Sequence, residues 1–272
     1  MNTKIFKRFA TLIIGAWAVF APLTSHAEPC ETEDFQTAVT GKEQCLLLRS
    51  YGDTTPKALL IWLHGDVSSG GPATYHFPLA EAAAKEFASE ATLSVALVRP
   101  GYPDGSGKSS SVAEGHTGRS DHYTQTNVTE VATAIERLIQ HYSPKKVVVI
   151  GHSGGAATTA IMLGLRPALI PAAVLVACPC DLVTWRSGRR AWSASENPAK
   201  WIPQIDTKTK VIALTGERDD NTRPKLAEDY VSALSARGIA AEFRALPYET
   251  HNSAFKSPEV NHAIRRLLES NP

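Results

Sequence analysis

Several things are scarce in this sequence, and each scarcity excludes something. Charge of one sign is missing: 28 lysines and arginines stand against 27 aspartates and glutamates in 272 residues. No basic or acidic surplus is left to hold a nucleic acid or a membrane surface. Apolar stretches long enough to cross a bilayer are missing too. The run Phe9 to Leu23 covers 15 residues, short of the roughly 20 that a spanning helix needs. Cysteines number four, Cys30, Cys45, Cys178 and Cys180. A Cys-x-Cys pair with no further ligand nearby is too little for a metal centre, so no metal or other cofactor is expected. Repeats, low-complexity tracts and dividing linkers are absent.

What is present begins with a leader. Lys4, Lys7 and Arg8 precede the apolar run, and Ser25-His26-Ala27 closes it with small residues where a signal peptidase reads. The pattern predicts a secretory signal over residues 1–27, cleaved after Ala27. Cys30 lies three residues past that point, so it is not a lipid-attachment cysteine, and no stable membrane anchor is expected. The exported remainder, 28–272, carries 25 basic and 27 acidic residues and is expected to form one domain, periplasmic or secreted. In an oxidising compartment its four cysteines can pair in three ways. A Cys30–Cys45 link would pin the N-terminal segment; Cys178-Pro179-Cys180 could close a small ring at a strand end.

Apolar runs alternate with helical patterns along the rest of the chain. Strands are predicted at 44–50, 57–63, 93–98, 146–150, 172–177, 210–215 and 240–246, and helices at 78–89, 126–142, 155–165, 224–237 and 258–269. Several strand candidates, such as "KALLIWL" and "KVVVI", are apolar throughout. Such strands are covered by helices on both faces. The reading is an α/β fold with a mostly parallel, doubly wound sheet, whose ligands bind at the carboxyl ends of the strands.

The chemically capable residues fall at those ends. Gly151-His152-Ser153-Gly154-Gly155 matches G-x-S-x-G between a strand and a helix. There the tight turn lifts the serine oxygen above the sheet and aims the next N–H, that of Gly154, at a developing oxyanion. A serine needs a base and the base an orienter. "GERDDN" after the strand at 210–215 offers Asp219 or Asp220. "ETHN" after the strand at 240–246 offers His251. The order Ser, Asp, His suits this motif. A second oxyanion donor is expected after the 57–63 strand, at the N–H of Asp66, with Val67 as the alternative.

Together the LHGD turn, the GHSGG elbow, the TGERDDN loop and the ETHN loop resemble the α/β-hydrolase family over essentially all of 28–272. The closest likeness is to its dienelactone-hydrolase and prolyl-oligopeptidase-like branches, without a propeller domain. That resemblance implies the acid is the third residue after the loop glycine, which is Asp219. Many esterases of the family have HGG where this chain has HGD.

"PGYPDGSGKSS" is no phosphate loop, because five residues rather than four separate Gly101 from Gly107; it reads as a loop bordering the pocket. Asn127-Val128-Thr129 is a formal glycosylation sequon that opens a helix. Residues 181–205 hold Trp185, Trp192 and Trp201 with Arg186, Arg189 and Arg190, either a lid lining an apolar pocket or a packed connector. The combined expectation is a serine hydrolase that cleaves a carboxylic ester of a small or short acyl substrate. A peptidase or amidase of the same fold and a non-catalytic binding protein are the alternatives.

Overall fold

The computed structural model describes residues 29–111 and 120–269; the predicted leader lies outside them. An eight-stranded sheet runs through the molecule in the order β1-β2-β4-β3-β5-β6-β7-β8. The strands are β1 (Ala38–Thr40), β2 (Cys45–Gly52), β3 (Ala58–Leu63), β4 (Thr92–Leu97), β5 (Lys146–His152), β6 (Ala172–Val176), β7 (Lys210–Gly216) and β8 (Ala240–Leu246). Strands β3 to β8 are mutually parallel, while β2 lies antiparallel to β4 and β1 antiparallel to β2.

The apolar runs are explained by two cores. Successive strand side chains point to opposite faces. Leu59, Ile61, Leu63, Val147 and Val149 enter one core, and Ala58, Leu60, Trp62, Val148 and Ile150 enter the other. The first core is closed by α2 (Gln125–Tyr142), α3 (Gly154–Leu165) and α6 (Pro224–Ala236); the second by α1 (Phe77–Glu86) and α7 (Pro258–Glu269). Helix α7 shows why it packs: Val260, Ala263, Ile264, Leu267 and Leu268 are its buried residues, one stripe at helical spacing. Helices α1, α6 and α7 carry proline in the first turn, where a missing N–H costs no helical bond. Helix α2 is capped by the Thr124 hydroxyl, which accepts from Asn127 N at 3.2 Å.

Some elements differ from the sequence reading. Strand β1 was not expected; three residues are too few to show a period. The predicted helix 78–89 ends at Glu86 and passes through Phe87 into a 3₁₀ turn at Ala88–Glu90. Two four-residue helices, α4 (Leu182–Trp185) and α5 (Pro198–Trp201), interrupt 181–205. The 100–110 loop lines a depression beside β2, not the pocket it was expected to border. Asn127 is buried at 4% exposure and its amide donates to the His122 carbonyl, so it is no accessible glycosylation acceptor.

Both Cys30–Cys45 and Cys178–Cys180 are bonded. The first ties the start of the described chain to β2. Buried Glu130 on α2 reinforces that attachment by accepting the N–H groups of Glu43 and Gln44 at 3.0 and 3.1 Å. At the opposite edge β8 carries Glu242 and Arg244, paired to each other and to α7, which makes that edge a poor template for further strands.

Candidate active site

Ser153 follows β5 and precedes α3, with φ 51° and ψ −115°. A non-glycine residue held there costs on the order of 1–3 kcal/mol, and the surroundings enforce it. Its N–H donates to the Val176 carbonyl on β6 at 2.8 Å. Neighbouring glycines let the backbones close: a Cβ on Gly155 would strike the carbonyl oxygens of Leu63 and His64, and one on Gly151 would strike Ala156. The elbow is therefore wedged against the end of β3.

Above it, the Ser153 hydroxyl and His251 Nε2 are 2.9 Å apart, and His251 Nδ1 is 2.9 Å from Asp219 Oδ2. The structure thus brings Ser153, His251 and Asp219 into one hydrogen-bonded line. Asp219 has no exposed side-chain surface, whereas Asp220 is exposed. Asp219 Oδ1 accepts the N–H groups of Asn221 and Thr222 at 3.0 and 2.8 Å, and the Thr222 hydroxyl lies 2.8 Å from Oδ2. Burial alone would raise the Asp219 pKa; the hydrogen bond from His251, its charge and the Thr222 contacts outweigh that, so the value is lowered. A buried anion beside Nδ1 holds the imidazole hydrogen there, leaving Nε2 to accept from serine.

The other two predicted residues, Gly154 and Asp66, flank the serine. Gly154 opens α3, where unpaired N–H groups and the helix dipole favour negative charge. Asp66 lies so near that a Cβ on Gly154 would strike its carboxylate. That carboxylate does not point at the reaction zone. Oδ1 accepts from Arg99 Nη2 at 2.5 Å and the Tyr102 hydroxyl at 3.2 Å, and Oδ2 accepts from the Tyr123 hydroxyl at 2.5 Å. Burial works against the charge on Arg99, but Tyr102 and Asp66 more than offset it, and its pKa is raised. Among the described residues no acceptor takes the N–H of Asp66 or Gly154. An arginine directly after the apolar strand "VALV" was the available signal for this buried pair, and the sequence reading passed over it.

A second network was also missed. His152 Nε2 lies 2.9 Å from the His251 carbonyl oxygen, and Nδ1 lies 2.7 Å from the Tyr75 hydroxyl. A carbonyl only accepts, so Nε2 carries the hydrogen. Tyr75 then donates to Nδ1 and accepts the Gly65 N–H. One directed chain therefore joins the loop after β3, the elbow and the histidine loop. It requires a neutral His152, and burial pushes the His152 pKa down to about 4.

Buried His76 is likewise held down, to about 3, by desolvation. The unfolded chain therefore binds more protons than the folded one between about pH 6.5 and 4, and stability falls as pH drops through that window. The melting temperature should be lower at pH 4.5 than at pH 7 by on the order of 10 °C. A thermal-shift series across that range checks it, and a flat profile contradicts it.

Over the serine lies a cavity of about 610 Å³. Trp185 and Trp192 line it and meet edge to face at 5.1 Å. Trp201 does not join them; its backbone packs against Gly164 of α3 and its indole N–H donates to Glu196 at 3.3 Å. The segment 181–205 is thus lid in its first half and packed connector in its second. The lid is moored to the acid loop, because Trp185 Nε1 donates to the Asn221 carbonyl at 2.9 Å.

A model of the alpha/beta hydrolase family matches residues 60–264. In sequence, the chain is 26% identical over 152 residues to a protein of rice, Oryza sativa subsp. japonica, described as a probable chloroplastic glutamyl endopeptidase. That match covers 52% of this chain and 16% of the relative. Among solved structures, Est1E from Butyrivibrio proteoclasticus with bound ferulic acid superposes with a TM-score of 0.65 at 11% identity. The match covers 86% of this chain and 100% of the other. The acylaminoacyl peptidase of Pyrococcus horikoshii superposes with a TM-score of 0.60 at 12% identity, covering 85% of this chain and 39% of the other.

Proposed function

Since the chain belongs to the alpha/beta hydrolase family, we propose that it is an exported serine hydrolase whose Ser153, His251 and Asp219 cleave a carboxylic ester. The observation that carries this reading is the line from Ser153 Oγ through the His251 ring to a fully buried Asp219. Ser153 Oγ attacks the carbonyl carbon while its proton passes to His251 Nε2. Negative charge gathers on the former carbonyl oxygen, facing the N–H groups of Gly154 and Asp66. Collapse expels the alcohol, which leaves with the proton from His251. Water then attacks the acyl-serine, giving its proton to His251, and the acid departs as Ser153 recovers its hydrogen. Asp219 stays ionised throughout and stabilises the imidazolium.

Export rests on the leader pattern and on two bonded cysteine pairs, which persist in oxidising compartments; among the described residues no helix is long and apolar enough to cross a membrane. A second reading, amide cleavage, is favoured by the match to a protein named as an endopeptidase. Ester cleavage asks less of the proton donor, because an alkoxide leaves far more readily than the amide anion that an unprotonated nitrogen would have to become.

One experiment addresses activity and export together. Exported protein is treated with a fluorophosphonate and its intact mass measured. The expected species is residues 28–272 carrying one adduct on Ser153 and four oxidised cysteines. An unlabelled protein overturns the hydrolase reading, and a chain retaining 1–27 overturns the export reading. Paired p-nitrophenyl esters and p-nitroanilides of one acyl group then separate esterase from amidase.

A further inference from the structure

The cavity over Ser153 is lopsided in charge. Arg186, Arg189 and Lys256 line it, and among the described residues Asp66 is the one acidic residue that joins them. Asp66 is already neutralised from beneath by Arg99 and two tyrosine hydroxyls. Among the described residues none of the three cations makes an ion pair. Three positive charges around one cavity, with no free carboxylate beside them among the described residues, make a field that an anion relieves.

The position of Arg186 adds direction to that field. Its guanidinium carbon lies 5.3 Å from the Trp185 ring centroid and 5.1 Å from that of Trp192. Its Nε donates to the Arg190 carbonyl at 3.0 Å, which fixes the stem and leaves the terminal nitrogens for another acceptor. A guanidinium held on aromatic faces is a planar fork suited to a carboxylate. The same indoles offer apolar walls to whatever carries that carboxylate. Solvated basic residues are common on protein surfaces, but these three line the same cavity as Ser153 and His251.

We propose that this cationic lining is a carboxylate subsite, so that the preferred substrates are esters bearing an anionic carboxylate on an apolar or aromatic stem. The proposal rests on the serine-hydrolase reading of Ser153 and names the substrate class for it. The carboxylate can sit on the acyl or the alcohol side of the scissile bond, and the test separates the two.

Four probes in two pairs are compared by kcat/KM: the p-nitrophenyl hemiester of glutaric acid against neutral p-nitrophenyl butyrate, and 4-acetoxybenzoate against its neutral methyl ester. One anionic probe should exceed its neutral reference by about tenfold or more, the worth of one charge-assisted hydrogen bond. That preference should shrink as salt rises. In Arg186→Gln/Arg189→Gln/Lys256→Gln the ratio should fall toward one. Arg265→Gln, on α7 away from the cavity, should keep the wild-type ratio. A wild-type ratio at or below one for both anions, or an unchanged ratio in the triple variant, overturns the subsite.

Failure of the hydrolase reading looks different: no ester is cleaved and no fluorophosphonate adduct forms. Calorimetric titration of Ser153→Ala protein with monomethyl and dimethyl glutarate then decides the subsite alone. Tighter binding of the monoanion, lost when the three cations are replaced, supports it. Equal binding, or none of either, rejects it.

Discussion

Ser153→Ala should lower kcat for ester hydrolysis by on the order of 10⁶ and leave the fold intact. The magnitude follows from the unit of which the hydroxyl is part. His251 has no proton to receive without it, and what remains is the donor pair and the cavity, whose residual effect over water is about 10³–10⁴. Stability should change little. The strain at φ 51° belongs to the backbone and persists in alanine, and the Ser153 N–H keeps its bond to Val176. Burst-free kinetics with circular dichroism and thermal melting check both halves. A variant within tenfold of wild-type turnover removes Ser153 from the mechanism.

Asp219→Asn should lower kcat by on the order of 10⁴, and Asp220→Asn by no more than a few-fold. Two effects add at residue 219. An amide in place of Oδ2 can present N–H to His251 Nδ1, which favours the tautomer that cannot accept from serine. The Thr222 and Asn221 N–H groups would also lose an ionised acceptor in a buried place. Asp220 is exposed one residue away, and its neutralisation removes only a solvated charge. The two variants assayed side by side on one ester decide it, and the reverse ranking transfers the role to Asp220.

The long strands and helices were legible because each is over-determined. "KALLIWL" fills two cores by alternation, and α7 repeats its apolar stripe for three turns. Ser153 and His251 were legible from loop order, and the choice between Asp219 and Asp220 needed a family resemblance, since both stand in the same loop. Other parts leave no local trace. Tyr75 meets His152 across 77 residues of chain in a stretch with no recognisable pattern. The short helices α4 and α5 are held by capping groups such as Asp181 and Asn197 rather than by periodicity, so no reading of composition says which tryptophan turns inward. The loop at 100–110 was placed wrongly because position along the chain is a poor guide to which edge of a sheet a connection follows. It pairs back along β2, where Ser111 N donates to the Cys45 carbonyl and Ser110 Oγ accepts the Leu47 N–H.

The chain of hydrogen bonds from Gly65 through Tyr75 and His152 to the backbone of His251 has a consequence for how this protein can change. Its direction is fixed, so no member can be exchanged without altering what its neighbours must offer. Tyr75→Phe would strand the Gly65 N–H on one side and the His152 ring on the other, and His152→Gln would reset both ends. Substitutions along it should be epistatic, with double variants departing from the sum of the singles by about 0.5–3 kcal/mol. The second position of G-x-S-x-G, nominally open to any residue, is in this protein tied to a tyrosine 77 residues earlier. Drift or directed selection would have to move them as a pair.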